Sequence, residues 1–170
     1  MTEFTQQRRF WSELVQLKAQ ACYLNLYHLQ CVRDDTRLKV YLAIASSSSI
    51  GGWVIWRDLS FLWAAIVAIA QVLNAVRQYL PWEKRAAAVS ELGRELADIV
   101  LTAEQRWYPI ANGDVTEAEI HDSIMDLKRR LNEAEYRHLA GRPLPINEGH
   151  RSVAAERVRE YFRTHYGLGG

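Results

Sequence analysis

Polar side chains interrupt the two most apolar stretches of the chain. Four consecutive serines occupy positions 46–49 of the first stretch, and Gln71 and Asn74 lie three residues apart in the second. Amides and hydroxyls directed at lipid are costly, so they face their own backbone, another helix or water. Two interpretations stay open. Either the serines and nearby glycines allow close helix packing, or a water-filled path is lined by the candidates Ser46, Ser49, Gln71 and Asn74.

A second group of polar residues fills the C-terminal quarter. From Lys128 onward, nine basic residues are set against five acidic ones, and tyrosines and a phenylalanine are interleaved with them. Arginine beside aromatic rings suits phosphate contact and base stacking. The expected ligand is a nucleotide or a short single-stranded nucleic acid, made or sensed by a partner protein. The alternative is a solvated helix face whose arginines pair with glutamates. The ligand-binding candidates are Arg129, Arg130, Arg137, Arg142, Arg157 and Arg163.

The sequence has no motif for catalysis or metal binding. Cys22 and Cys31 are nine residues apart, which fits neither a CxxC redox motif nor a zinc site. A glycine-rich phosphate loop, HExxH and GxSxG are all missing from the sequence. We therefore predict a protein that is not an enzyme and that uses no metal and no cofactor.

Apolar residues at three- and four-residue steps predict an all-α fold, a helical bundle of long water-soluble helices. One apolar seam runs from Phe10 to Cys31 and another from Val89 to Ala103. The segments RDDTRLK and YPIANGDVT are predicted breaks. Thr116 with Glu119 matches a capping box. The predicted cytosolic helices cover residues 4–33, 83–106 and 117–140, and residues 141–170 form a loop plus a short basic helix capped by Ser152 and ending near Tyr166.

Between Lys39 and Arg77 only Arg57 and Asp58 are charged, and they divide the region into two predicted transmembrane helices, 40–56 and 59–80. Their uncharged cores cover roughly 25 to 27 Å each, slightly less than a bilayer core of about 30 Å. Aromatic residues gather at both ends as expected for interfacial belts. The predicted anchors are Tyr41, Trp53 and Trp56 on the first helix and Trp63, Tyr79 and Trp82 on or beside the second.

Basic residues flank the hairpin at its outer ends and are scarce in its turn. Six lysines and arginines stand at those ends, against Arg57 alone in the turn. The positive-inside rule then predicts that both termini are cytoplasmic. Serine and glycine lower the hydropathy of the first helix, so a hairpin buried in a wholly soluble helical bundle is the competing interpretation.

A long N-terminal helix, a tight two-span hairpin and a long helix leaving the second span resemble the SLATT family. The likeness covers about residues 4–140 and depends on the segments LKVYLAIASSSSIGGWVIW and FLWAAIVAIAQVLNAVRQYLPWEKRAAAVSELGRE. The resemblance implies that residues 1–140 form a SLATT-like domain. The resemblance implies a pore-forming effector of bacterial anti-phage defence by abortive infection. Such an effector sits in the inner (plasma) membrane and depolarises it after a nucleotide-type signal.

One hairpin cannot enclose a pore, so conduction requires a homo-oligomer, a tetramer or similar, surrounding an axis. The helix seams could supply the contact between copies. A membrane-anchored helical scaffold that recruits a partner without conducting is the alternative function.

Overall fold

The computed structural model describes residues 3–55, 61, 65, 68–72, 75, 82–140 and 144–167. Side chains are described within these ranges except at 3–4, 45–55 and 82–84. The chain divides into two compact units, one formed by residues 1–28 with 87–170 and the other by residues 29–86. We call them the bundle unit and the apolar unit.

Four helices account for most of the described chain: α1 (Glu3–Ile55), α2 (Trp82–Asn112), α3 (Glu117–Leu139) and α4 (Glu148–Tyr166). The described residues between 61 and 75 are helical as well, and no strand occurs in the described ranges. The predicted all-α class is therefore confirmed.

The core of the bundle unit follows the predicted seams. On α2, the five predicted positions from Val89 to Ala103 are at most 5% exposed. Phe10 and Leu14 on α1 and Ile124 on α3 are fully enclosed, and burying a side chain of this size stabilises the fold by about 1.5–3 kcal/mol. The seam on α4 was not predicted, because small and charged residues surround it in the sequence. It consists of Ala154, Val158 and Phe162.

The predicted break at RDDTRLK is wrong, because α1 continues through it. Arg37 lies 3.9 Å from Asp34, three residues earlier, and Lys39 pairs with Asp35, four residues earlier. The hydroxyl of Thr36 donates to a backbone carbonyl one turn back, at 2.9 Å. Charges of opposite sign at these spacings stabilise a helix. The polar composition of this segment suggests a loop, but its ion pairs favour a helix.

The predicted turn also begins later than expected, because α2 includes Pro109 and ends at Asn112. Ile110 is 2% exposed, and its burial favours another turn of helix beyond the proline. The amide of Gln7 on α1 donates to the carbonyl of Ile110 at 2.9 Å, which satisfies one of the free carbonyls at this helix end. Gly113 then takes a left-handed φ of 78° and terminates the helix.

The helix caps were predicted with mixed success. Thr116 and Glu119 form the expected capping box at the start of α3. Bonds from the backbone amide and then from the hydroxyl of Thr116 lower the pKa of Glu119. Ser152 is not the cap of α4, which begins after Asn147, whose side chain accepts from the backbone amide of His150 at 3.2 Å. The helix does end at Tyr166, as predicted.

Within the described residues, no helix combines the length and the apolar character that a membrane crossing requires. Most of the predicted helix 59–80 lies outside the described residues, as do Trp56, Trp63, Asn74 and Tyr79.

Candidate functional site

The arginines proposed as ligand contacts are distributed over separate places in the bundle unit. Arg129 and Arg130 both bind Asp126 on their own helix, at 2.7 and 3.0 Å, and Arg106 on α2 reaches the same carboxylate at 2.8 Å. The hydrogen bond from Arg129 is the largest of the effects that lower the pKa of Asp126 to about 2, against the opposing effect of desolvation. Arg129 and Arg130 are thus engaged in a link between α2 and α3.

Two more of these arginines also have carboxylate partners. Arg137 lies 2.7 Å from Glu95, and His138 approaches the other oxygen of the same carboxylate at 2.7 Å. Arg163 pairs with Glu160 three residues earlier, at 2.7 Å. Arg142 lies outside the described residues. Four of the six candidates therefore have carboxylate partners, and one of them, Arg163, pairs with a glutamate on its own helix, as the alternative interpretation expects.

Three of the four aromatic residues of the C-terminal quarter pack against the protein, whereas Tyr136 is 78% exposed. The ring of Trp11 on α1 lies 4.8 Å from those of Trp107 and Phe162 and 5.4 Å from that of Tyr166. Burial, followed by the nearby carboxylate of Glu104, raises the pKa of Tyr166. These rings join α1, α2 and α4 at one end of the bundle unit.

Arg157, the remaining candidate, lines an open groove of about 530 Å³ between α1, α2 and α4. Lys18 of α1 and Arg94 of α2 line the same groove, so each of the three helices contributes one cation. The lining residues, all of them described, include no carboxylate. We call this the cationic groove.

One wall of the cationic groove is fixed by a part-buried polar network around Glu104. Lys18 Nζ lies 3.0 Å from a Glu104 oxygen, and the hydroxyl of Tyr161 donates to both oxygens, at 3.0 and 3.2 Å. The same ammonium lies 3.7 Å from the centre of the Tyr161 ring, and His165 stacks on that ring at 4.3 Å. Both groups lie against the ring of Tyr161, so the ring helps to position Lys18 and has little surface left for stacking on a base.

A second cavity, of about 480 Å³, lies between the four helices and the loop before α4, and its walls are mainly apolar, with six leucines. The hydroxyl of Tyr23 holds that loop by donating to the carbonyl of Pro145 at 2.8 Å and accepting from the amide of Asn147 at 3.1 Å. Glu135 and Arg151 are its charged lining residues, so its formal charges balance. The two cavities therefore differ in charge: only the cationic groove has an excess of positive lining residues.

Sequence reasoning identified Arg157 but missed Lys18 and Arg94. The available signal was helical spacing: Lys18 and Cys22 share one face of α1, as do Arg157 and Tyr161 on α4. Spacing tells which residues share a face, but it does not tell which helices pack together.

No protein-family model, curated protein or solved structure matches this chain. The resemblance to the SLATT family therefore stays a prediction from the residues.

The predicted pore and belt residues belong to the apolar unit or border it. Gln71 is helical and exposed, and Tyr41 is 42% exposed on α1. Ser46, Ser49 and Trp53 are within α1, and Trp82 begins α2, although the side chains of these four residues lie outside the description.

Proposed function

We propose that this protein is a membrane effector of bacterial anti-phage defence that resembles the SLATT family and forms a gated pore as a homo-oligomer. In this proposal the hairpin 40–80 enters the inner membrane, both termini are cytoplasmic, and a nucleotide-type ligand controls conduction. Activation depolarises the membrane and stops growth of the infected cell.

The observation that carries this proposal is the exposure of large apolar side chains in the apolar unit. In the described part of the chain, fourteen large apolar side chains are exposed, and eight of them belong to residues 29–86. The bundle unit, with many more described residues, has the remaining six. Exposed apolar surface concentrated in this way is typical of a region covered by lipid or by other copies of the chain. The eight are Leu29, Val32, Val40, Tyr41, Ile44, Phe61, Ile69 and Val72.

The exposed amide of Gln71 supports a path for water over a purely packed interface. An amide facing lipid loses its hydrogen bonds to water without gaining others. In an oligomer, such a side chain can face an axis shared by several copies.

Membrane insertion is tested first, because conduction depends on it. We expect the full chain, expressed in bacteria, to stay in the membrane fraction after carbonate extraction. Release into the soluble fraction by carbonate would contradict the membrane proposal and favour a soluble helical bundle.

Conduction is tested by ion flux in vesicles reconstituted with the full chain. We expect flux in wild-type vesicles and altered conductance in Gln71→Leu and Asn74→Leu. Asn132→Leu, which changes an exposed amide on α3, is the matched control and should leave conductance unchanged. Carbonate-resistant insertion without flux would instead favour the non-conducting scaffold.

A further inference from the structure

The cationic groove has a charge pattern that the packing of the bundle unit does not require. Lys18 is paired with Glu104, and Arg94 with Glu91 three residues earlier on α2. Among the described residues, Arg157 has no ion-pair partner, and it is exposed. No carboxylate lines the groove itself, and two of its three cations have partners outside the lining. The charge of Arg157 is therefore left uncompensated, and it attracts anions.

We infer that the cationic groove binds a phosphate ester, with Arg157 and Arg94 as the main phosphate contacts and Lys18 completing the cationic wall. The planar guanidinium presents paired donors that match the geometry of phosphate oxygens. Three cations from three helices surround one volume, which a single charged helix face would not do. Binding at this groove does not depend on the proposed function. The inference rests on the proposed function only where it takes the bound phosphate ester to be the signal that controls the pore.

The rest of the lining indicates what the phosphate is attached to. Leu24, Val89, Val100 and Val158 give the groove an apolar floor, and Asn25 and Ser90 add hydrogen-bonding groups beside it. At Gly93, a Cβ atom would meet nothing within 4 Å, so the backbone of α2 is open to a ligand there. A volume of about 530 Å³ lies in the usual range for small-molecule sites, roughly 300–1,000 Å³. A phosphate joined to a flat or apolar group, as in a nucleotide, fits this lining.

The contacts around the ring of Tyr161 limit which groove surfaces the ligand can touch. Lys18 and His165 already contact the ring of Tyr161, so we expect the flat group of the ligand to lie mainly against the aliphatic floor. Selection among bases should therefore be weak, and the phosphate should supply most of the affinity.

The test measures binding of nucleotides to the full chain, purified in mild detergent, by isothermal titration calorimetry. The probes are the four ribonucleoside monophosphates, the dinucleotide pApA, adenosine and inorganic phosphate. We expect the nucleotides to bind more tightly than either adenosine or inorganic phosphate. Phosphatidylglycerol vesicles are the competitor that separates the two sources of a phosphate ester. If they displace the nucleotides from wild type, the natural ligand is a lipid headgroup at the same site; if they do not, it is a soluble nucleotide.

Variants locate the site. Arg157→Ala and Arg94→Ala should each weaken nucleotide binding by roughly ten- to hundredfold, the range for losing one charged hydrogen-bond donor. Arg157→Lys should recover part of the loss. Arg159→Ala is the matched control, because Arg159 is an exposed arginine on the same helix outside the groove lining; it should change binding by no more than about twofold. Circular dichroism melts check that each variant folds.

Two results would overturn the inference: no binding of any nucleotide or of phosphatidylglycerol to wild type, or equal losses for Arg157→Ala and Arg159→Ala. Its failure is separable from that of the proposed pore. Ion flux without nucleotide binding would refute only the binding inference, whereas nucleotide binding without ion flux would refute only the pore proposal.

Discussion

Replacement of Asp126 by asparagine removes the carboxylate on which three arginines converge. Arg129, Arg106 and Arg130 approach its oxygens at 2.7, 2.8 and 3.0 Å. They hold the pKa of Asp126 at about 2, below its ordinary value of 3.8. In the Asp126→Asn variant, the three guanidinium groups lose their shared counter-charge.

The size of the effect follows from the lowered pKa. A difference of nearly two units is equivalent to roughly 2.5 kcal/mol, at about 1.4 kcal/mol per unit. The side chains of Arg129 and Arg130 are 70% and 47% exposed, so water screens part of their attraction. We therefore expect Asp126→Asn to lower the free energy of unfolding at pH 7 by about 1–2 kcal/mol.

The pH dependence identifies the cause. Since folding lowers this pKa, the stabilisation is fully present above the unfolded value of 3.8 and is lost as the pH falls through about 2. Urea unfolding followed by tryptophan fluorescence should give a difference between wild type and variant that narrows from pH 4 to pH 2. Asp122→Asn is the matched control: Asp122 is exposed on the same helix and has no ion-pair partner in the described ranges.

A difference that is the same at pH 7 and pH 2 would refute the electrostatic reasoning, because Asp126 in the wild type would then stabilise the fold by packing alone. A loss in Asp126→Asn no larger than that in Asp122→Asn would refute it too.

Two further predictions concern the stability of the bundle unit. Thr116→Ala removes the capping box of α3 and should lower the free energy of unfolding by about 1 kcal/mol; an equal loss in Thr164→Ala, an exposed threonine on α4, would contradict this reason. Leu96→Ala empties a position that is 1% exposed and should cost about 2–5 kcal/mol. Leu101→Ala, at a position 55% exposed on the same helix, should cost less than about 0.5 kcal/mol. Urea unfolding measures both pairs, and similar losses at Leu96 and Leu101 would show that the seam is wrongly assigned.

The fold was predictable where one periodic signal decided it. Alternation of apolar residues identified five buried positions of α2 from Val89 to Ala103 and missed only Val100 within that range, because burial of that face dominates its energetics. Prediction failed where weaker effects decided. Side-chain pairing carries α1 through a polar segment, and burial of Ile110 carries α2 past Pro109. Neither effect is visible in composition or in the usual breakers.

The candidate site shows a different limit. The sequence indicates that many arginines are present, but whether an arginine is paired depends on contacts between helices that are far apart in the chain. Arg137 finds Glu95, 42 residues earlier, whereas Arg157 finds no carboxylate in the described part of the chain. Both occur in similarly basic surroundings, so local charge cannot separate them.

The same non-local packing explains why a groove with three cations is stable. Lys18 is held by Glu104 and by the ring of Tyr161, so its charge is compensated from behind while it still lines the groove. Arg94 is compensated from its own helix by Glu91. Only the charge of Arg157 must be compensated by solvent or by a ligand. Because Arg157 is exposed, water solvates this charge at little cost in free energy. A groove of this kind can fold without its ligand, and a bound anion is stabilised mainly by Arg157. A large loss of nucleotide affinity in Arg157→Ala would therefore indicate a specific binding site, because on an ordinary basic surface no single arginine would matter so much.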